Sequence, residues 1–233
     1  MFFLFIIQHV PIIMKDVFKM KHKSAVYLFV LTLIIGLTYQ LLPYPPLNDS
    51  VLSIVGTIWN LVFAFSAGYF LLRTTFLEQF KHFRFTVLLW GVPFVILTGV
   101  FFSFIYAAIF GQPTTNSISE TITVQMVFLQ VPFMLMGEEL LSTNLLLALQ
   151  KRGLSFAWSS IICSVLFALW HIPAYSFHPA QLLITLMPAR LALNHVWKKF
   201  NSVWISWICH FLYDSLGFIS FLGKKATNRT AEA

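Results

Sequence analysis

Charge is scarce in this chain. Asp, Glu, Lys and Arg make up 10% of its 233 residues, against about 25% in an ordinary soluble domain. With 58% hydrophobic residues and 26 phenylalanines, that scarcity argues against a soluble domain and points to a polytopic membrane protein. Cysteine is almost missing. Cys163 and Cys209 both fall inside apolar runs and no CxxC occurs, which argues against a disulfide framework and a cysteine-based metal site. The HExxH signature of common metalloproteases is absent. There is no internal repeat, low-complexity stretch or linker, so the chain reads as one domain, and the repeated halves usual in proton-coupled transporters are not seen. The net charge of +7 does not signal nucleic acid, because the basic residues form short clusters between apolar runs, where they set topology.

A span needs about 20 apolar residues. Seven candidates meet or approach that length, at 25–42, 51–72, 85–110, 122–149, 155–171, 182–196 and 203–222. The fold class expected is an all-α polytopic membrane protein, a bundle of seven transmembrane helices, or eight if a span escapes this count. The sixth segment is short and carries Arg190, and Pro132 is expected to kink the long fourth one. The organisation expected is a cytoplasmic or interfacial segment at 1–24, a helical domain at 25–222 and a polar tail at 223–233. Residues 1–14 are apolar but broken by Pro11. They lack a basic n-region and a small-residue cleavage site, which makes a poor signal peptide, and Met14 or Met20 offers an alternative start. Trp158, Trp197, Trp204 and Trp207 read as interfacial belt residues.

Lys and Arg alternate between loops. Lys15, Lys19, Lys21 and Lys23 precede the first span, and Arg73, Lys81 and Arg84 follow the second. Lys151 and Arg152 follow the fourth span, and Lys198 and Lys199 the sixth, whereas 43–50, 111–121 and 172–181 hold neither residue. The expectation is a multi-pass protein of the cell membrane with a cytoplasmic N-terminus. Seven crossings leave one tension, since they put Lys224, Lys225 and Arg229 outside.

Against this background two adjacent acids stand out. Glu138 and Glu139 lie in a run, 127–149, that holds no other charge. An Asp-like charge at mid-membrane costs roughly 2.5–3.5 kcal/mol on insertion scales, and intramembrane ionisable groups are functional-site candidates by default. His171, His210 and Asp214 follow in other apolar segments. Counted from the basic loops at about 1.5 Å per residue, Glu138 lies roughly 20 Å deep, His210 and Asp214 roughly 16 and 22 Å, and His171 roughly 28 Å. Three segments therefore bring ionisable groups to a similar layer. His210 and Asp214, spaced i, i+4, share one helix face.

The pair Glu138-Glu139 resembles the EExxxR motif of the CAAX-processing and bacteriocin-processing (CPBP, or Abi) family of intramembrane proteases. Phe167 with His171 matches the family's FxxxH, and His210 with Asp214 its HxxxN/D. Order and spacing agree over roughly 127–222. The chain departs at one place: Thr143 stands where the family has Arg, one helical turn after Glu139. Arg190, the only cation within a nearby span, is the expected replacement.

The resemblance implies hydrolysis of a peptide bond in a peptide or protein at the membrane. Glu138 would be the general base and His171 would help hold the water. His210 would stabilise the oxyanion, and Asp214, acceptor-only when ionised, would orient His210. A second mechanism is open at this point: Zn²⁺ held by His171 and His210 with Glu138 or Asp214. The composition looks bacterial, so peptide processing or bacteriocin self-immunity is expected rather than prenyl-protein maturation. A degenerate family member that works by binding is the alternative, and Thr143 is the feature that favours it.

Overall fold

The computed structural model describes residues 23–46 and 48–231. The expected N-terminal segment therefore lies almost wholly outside the described residues. The described chain is all-helical, with no strand. Its helices are α1 (Lys23–Leu41), α2 (Asp49–Leu72), α3 (Thr74–Leu77), α4 (Phe85–Phe110), α5 (Ile118–Thr121), α6 (Val124–Leu129), α7 (Val131–Lys151), α8 (Phe156–Trp170), α9 (Pro179–Phe200) and α10 (Val203–Ala231). Short 3₁₀ turns follow α3 at Glu78–Phe80 and α8 at Pro173–Tyr175.

Local chemistry sets the helix ends. The Asn48 side chain accepts from the Ser50 amide at the start of α2, and the Ser155 hydroxyl accepts from the Trp158 amide at the start of α8. Gly111, with φ of 87°, closes α4 in a backbone conformation that L side chains rarely adopt. The fourth apolar segment is two helices rather than one kinked span. It breaks at Gln130, and Pro132 sits in the first turn of α7, where its missing N–H costs no helical bond. The Pro132 carbonyl accepts from the Trp207 indole at 2.8 Å, tying α7 to α10.

Among the described residues, α1, α2, α4 and α10 (over Val203–Gly223) are long and apolar enough to cross a membrane. α8, at 15 residues, is apolar but shorter. α7 and α9 have 21 and 22 residues, and polar side chains lower their hydropathy. Those side chains point inward: Glu139, Ser142, Thr143, Asn144, Arg190 and Asn194 are all fully buried. The lipid-facing signs run the other way, for Phe70, Leu89, Leu97 and Phe104 are exposed. The chain thus buries polar groups and presents apolar ones, as expected for a bilayer solvent. Trp197 departs from its expected interfacial place. It is 2% exposed and its indole donates to Gln79, so it belongs to the core.

α7 lies at the centre, packed against α2, α8 and α10, while α9 packs on α4, α8 and α10. Small residues permit the closest approach. A methyl group on Gly137 would stand 2.6 Å from the Leu61 amide nitrogen and 2.8 Å from the Asn60 Cβ. Asn144 completes the α2 contact by donating to the Ala64 carbonyl at 2.8 Å. Because the atoms facing Gly137 belong to α2's backbone, Gly137→Ala must displace the helix. We expect it to lower stability by about 1–3 kcal/mol, measured as a lower thermal midpoint in detergent micelles. An unchanged midpoint would mean that this close approach is not required.

Candidate active site

Consecutive helical residues point about 100° apart, so Glu138 and Glu139 meet different surroundings. Glu139 turns into the bundle, with a fully buried side chain. There Arg190 of α9 grips it with two hydrogen bonds, from Nη1 to Oε1 at 2.5 Å and from Nη2 to Oε2 at 3.0 Å. This is the cation expected from the sequence. Thr143 does not take part, since its hydroxyl bonds the Leu140 carbonyl of its own helix. The pair is held from both sides. Arg190 Nε donates to Asn194 Oδ1 at 2.9 Å, and Asn194 in turn donates to the Ser160 and Ser164 hydroxyls of α8 at 3.0 and 3.2 Å. The Phe167 ring lies 5.4 Å from the guanidinium carbon.

His210 of α10 meets the same carboxylate, its Nδ1 2.9 Å from Glu139 Oε1. A carboxylate gripped by arginine accepts, so Nδ1 carries a proton and Nε2 faces outward. Glu139, not Asp214, thus makes the bond that orients His210. Asp214 Oδ2 stands 3.7 Å from the opposite nitrogen, Nε2, beyond hydrogen-bond distance.

Glu138 points instead into a cavity, its side chain 19% exposed. His171 directly follows the last residue of α8, and its Nδ1 lies 2.8 Å from the Phe167 carbonyl. A carbonyl oxygen only accepts, so Nδ1 donates, and in the neutral ring Nε2 presents a lone pair. That lone pair faces Glu138 Oε2 at 3.8 Å, and His210 Nε2 lies 4.0 Å from the same oxygen. The structure therefore brings all five expected residues together, with Glu139 and His210 buried. Separations of 3.7–4.0 Å are too long for direct bonds and suit a bridging water.

Tetrahedral zinc with bonds of about 2.0–2.1 Å puts donor atoms roughly 3.3 Å apart, closer than these atoms stand. Among the described residues, no group of three or more His, Cys, Asp or Glu is arranged to hold a metal.

Three cavities meet at these residues. One, of about 90 Å³, lies among Glu138, His171, His210 and Asp214. A second, of about 220 Å³, shares Glu138 and His171 and runs toward α1. The third, of about 530 Å³, shares Tyr213 and Asp214 and opens between α4 and α10. Asn116 lines all three. The sequence reading missed Asn116, Tyr175 and Asn194. Only Asn194 left a signal there, being i, i+4 from Arg190.

Residues 119–216 match the family described as type II CAAX prenyl endopeptidase Rce1-like. The match contains Glu138, Glu139, His171, Arg190, His210 and Asp214. The resemblance to CAAX-type membrane proteases is thereby shown for this part of the chain. No curated protein and no solved structure matches.

Removing one partner of a buried ion pair leaves an uncompensated charge. We expect Arg190→Gln to destabilise by about 3–5 kcal/mol, measured by thermal unfolding in micelles. Glu139→Gln combined with Arg190→Gln should cost less than the sum of the two single variants. Additive losses would show that the pair is not coupled.

Proposed function

We propose that this chain is an intramembrane endopeptidase that hydrolyses peptide bonds with a water activated by Glu138 and His171. The observation that carries this reading is the pairing of two acceptor atoms, Glu138 Oε2 and His171 Nε2, 3.8 Å apart at a cavity wall. One water can donate to both, which leaves its lone pair free to attack a carbonyl carbon. Glu138 takes the proton in that step and returns it to the leaving amine as the C–N bond breaks. The imidazolium form of His210 donates from Nε2 to the oxyanion, with Glu139 holding its Nδ1. Asp214 Oδ2 stands 3.7 Å from the same nitrogen.

In a bilayer, α7, α8 and α9 join α1, α2, α4 and α10 as crossings, which gives the bundle of seven. Their polar residues face one another and not lipid, so low hydropathy does not bar them. The cell membrane is the proposed location, with a cytoplasmic N-terminus. The cavities meet residues of 113–117 and 172–178, loops without Lys or Arg. Arg73, Lys81, Arg84, Lys151, Arg152, Lys198 and Lys199 fall in the other connections or in the last helical turns beside them. By the positive-inside rule the active site opens away from the cytoplasm. A peptide that arrives at or leaves through the outer face fits that opening, which supports peptide processing or bacteriocin self-immunity over maturation of cytoplasmic prenylated proteins. The partners proposed are that peptide or protein and the lipid bilayer.

A non-catalytic binding protein of the same family is the second reading, and Thr143 is the residue that favours it. Arg190 weakens that argument by supplying the cation from α9. The two readings separate on Glu138→Gln, which removes the base and keeps the shape. At equal membrane levels, cleavage of an equimolar peptide mixture should fall by about 10²–10⁴-fold, with survival under bacteriocin challenge falling in parallel. Retention of function would assign the protein to binding.

A further inference from the structure

The proposed chemistry gives the oxyanion one donor, His210 Nε2. Asp214, on the same helix face, only accepts when ionised. Oxyanion sites gather preorganised donors, usually more than one, so a second is expected in the wall of the 90 Å³ cavity. Three uncharged side chains there carry donors: Asn116, Tyr175 and Tyr213. Tyr213 turns away. A methyl group on Gly99 of α4 would stand 2.5 Å from its hydroxyl oxygen, and α4 contributes no residue to this cavity. Asn116 is already engaged. Its Oδ1 accepts from the Ile118 amide at 3.0 Å, and its own amide faces the Tyr175 hydroxyl.

Tyr175 remains. It is half-buried and closes the 3₁₀ turn Pro173–Tyr175. Two carboxylates act on its hydroxyl, that of Asp214 more than that of Glu138. Its oxygen therefore lies toward Asp214, whose Oδ2 stands 3.7 Å from His210 Nε2. The phenol keeps its proton at neutral pH, because burial and then the Asp214 charge push its pKa up to about 12. With the Asn116 amide facing the oxygen, that proton is left to be donated.

The turn is held from outside. The Ser117 amide donates to the Ala174 carbonyl at 2.9 Å. The loop that carries Ser117 is clamped to α9 by Gln181, which is 2% exposed. Gln181 Oε1 accepts from the Thr114 amide and hydroxyl at 3.0 and 2.9 Å, and its Nε2 donates to the Thr114 carbonyl at 2.8 Å. Directly after the turn, Ser176 and Phe177 take left-handed backbone, with φ of 53° and 61°, which non-glycine residues adopt uncommonly. A hydroxyl fixed in this way is preorganised, as a donor to developing charge must be. We propose that Tyr175 is a catalytic residue whose hydroxyl donates the second hydrogen bond to the oxyanion, beside His210 Nε2. It transfers no proton. The proposal rests on the hydrolytic reading of Glu138 and His171.

The test uses the full chain in detergent micelles and a peptide that the unaltered protein cleaves and Glu138→Gln does not. Tyr175→Phe removes one oxygen and should lower kcat by about 10²-fold, the loss expected of one oxyanion donor, with KM within about twofold. Tyr213→Phe should keep kcat within about threefold. A second arm reads binding alone, in the Glu138→Gln background. There Tyr175→Phe should weaken a phosphinate analogue of the peptide, which carries tetrahedral anionic oxygens, by about 10²-fold, and the amide peptide by no more than about twofold. A folding defect weakens both ligands alike, so their affinity ratio decides if the thermal midpoint of Tyr175→Phe falls. Unchanged kcat in Tyr175→Phe with Glu138→Gln inactive, a loss confined to KM, or a larger loss in Tyr213→Phe would overturn the role of Tyr175 and leave the hydrolytic reading standing. So would a phosphinate-to-amide ratio that Tyr175→Phe does not change. No cleavage by the unaltered protein, or equal cleavage by Glu138→Gln, would overturn the hydrolytic reading and this proposal with it.

Discussion

The bidentate pair between Glu139 and Arg190 is the interaction on which the rest of the structure depends. Both side chains are fully buried, and stripping two ions of water costs several kcal/mol each. Such a pair holds only when its remaining hydrogen-bonding capacity is met. Here Asn194 takes Arg190 Nε, and His210 donates to the carboxylate. These contacts join α7, α9 and α10, and the serines that receive Asn194 bring in α8. Four helices are thus fastened at one buried point, and nearly all the chemistry-bearing residues hang from it.

A division of labour between adjacent glutamates follows. One carboxylate is spent on structure: it fixes the arginine and turns His210 so that Nε2 looks into the cavity. The other, one residue earlier, is rotated by about 100° into that cavity. Among the described residues it has no direct ion pair with Arg or Lys, and its neighbours are the outward nitrogens of His171 and His210. Thr143 offers no guanidinium, and Arg190 supplies one from α9.

Much of this was legible in the sequence. The ends of α2 and α4 fall at 72 and 85–110, where the hydrophobic runs meet basic residues or glycine. The five site residues were visible because charge in an apolar run is rare, and Arg190 because it was the only cation within reach of Glu139. Other features needed three dimensions. The break at Gln130 was hidden because the apolar run continues through it, so Pro132 looked like a kink inside one helix. Trp197 looked like a belt residue because its sequence neighbours, Lys198 and Lys199, are basic, yet Gln79 from a distant turn receives its indole inside the core. Glu139's hold on His210 competed with the simple i, i+4 expectation for Asp214, and the buried charge pair prevailed.

The central claim is that water, activated by Glu138, is the nucleophile. Single-turnover cleavage in ¹⁸O-water, with enzyme in excess over peptide, tests it most directly. The account predicts one ¹⁸O atom in the new carboxyl terminus of the product and none in the protein. Label appearing in the Glu138 carboxylate, with an unlabelled product, would contradict it by showing that the glutamate attacks the carbonyl itself.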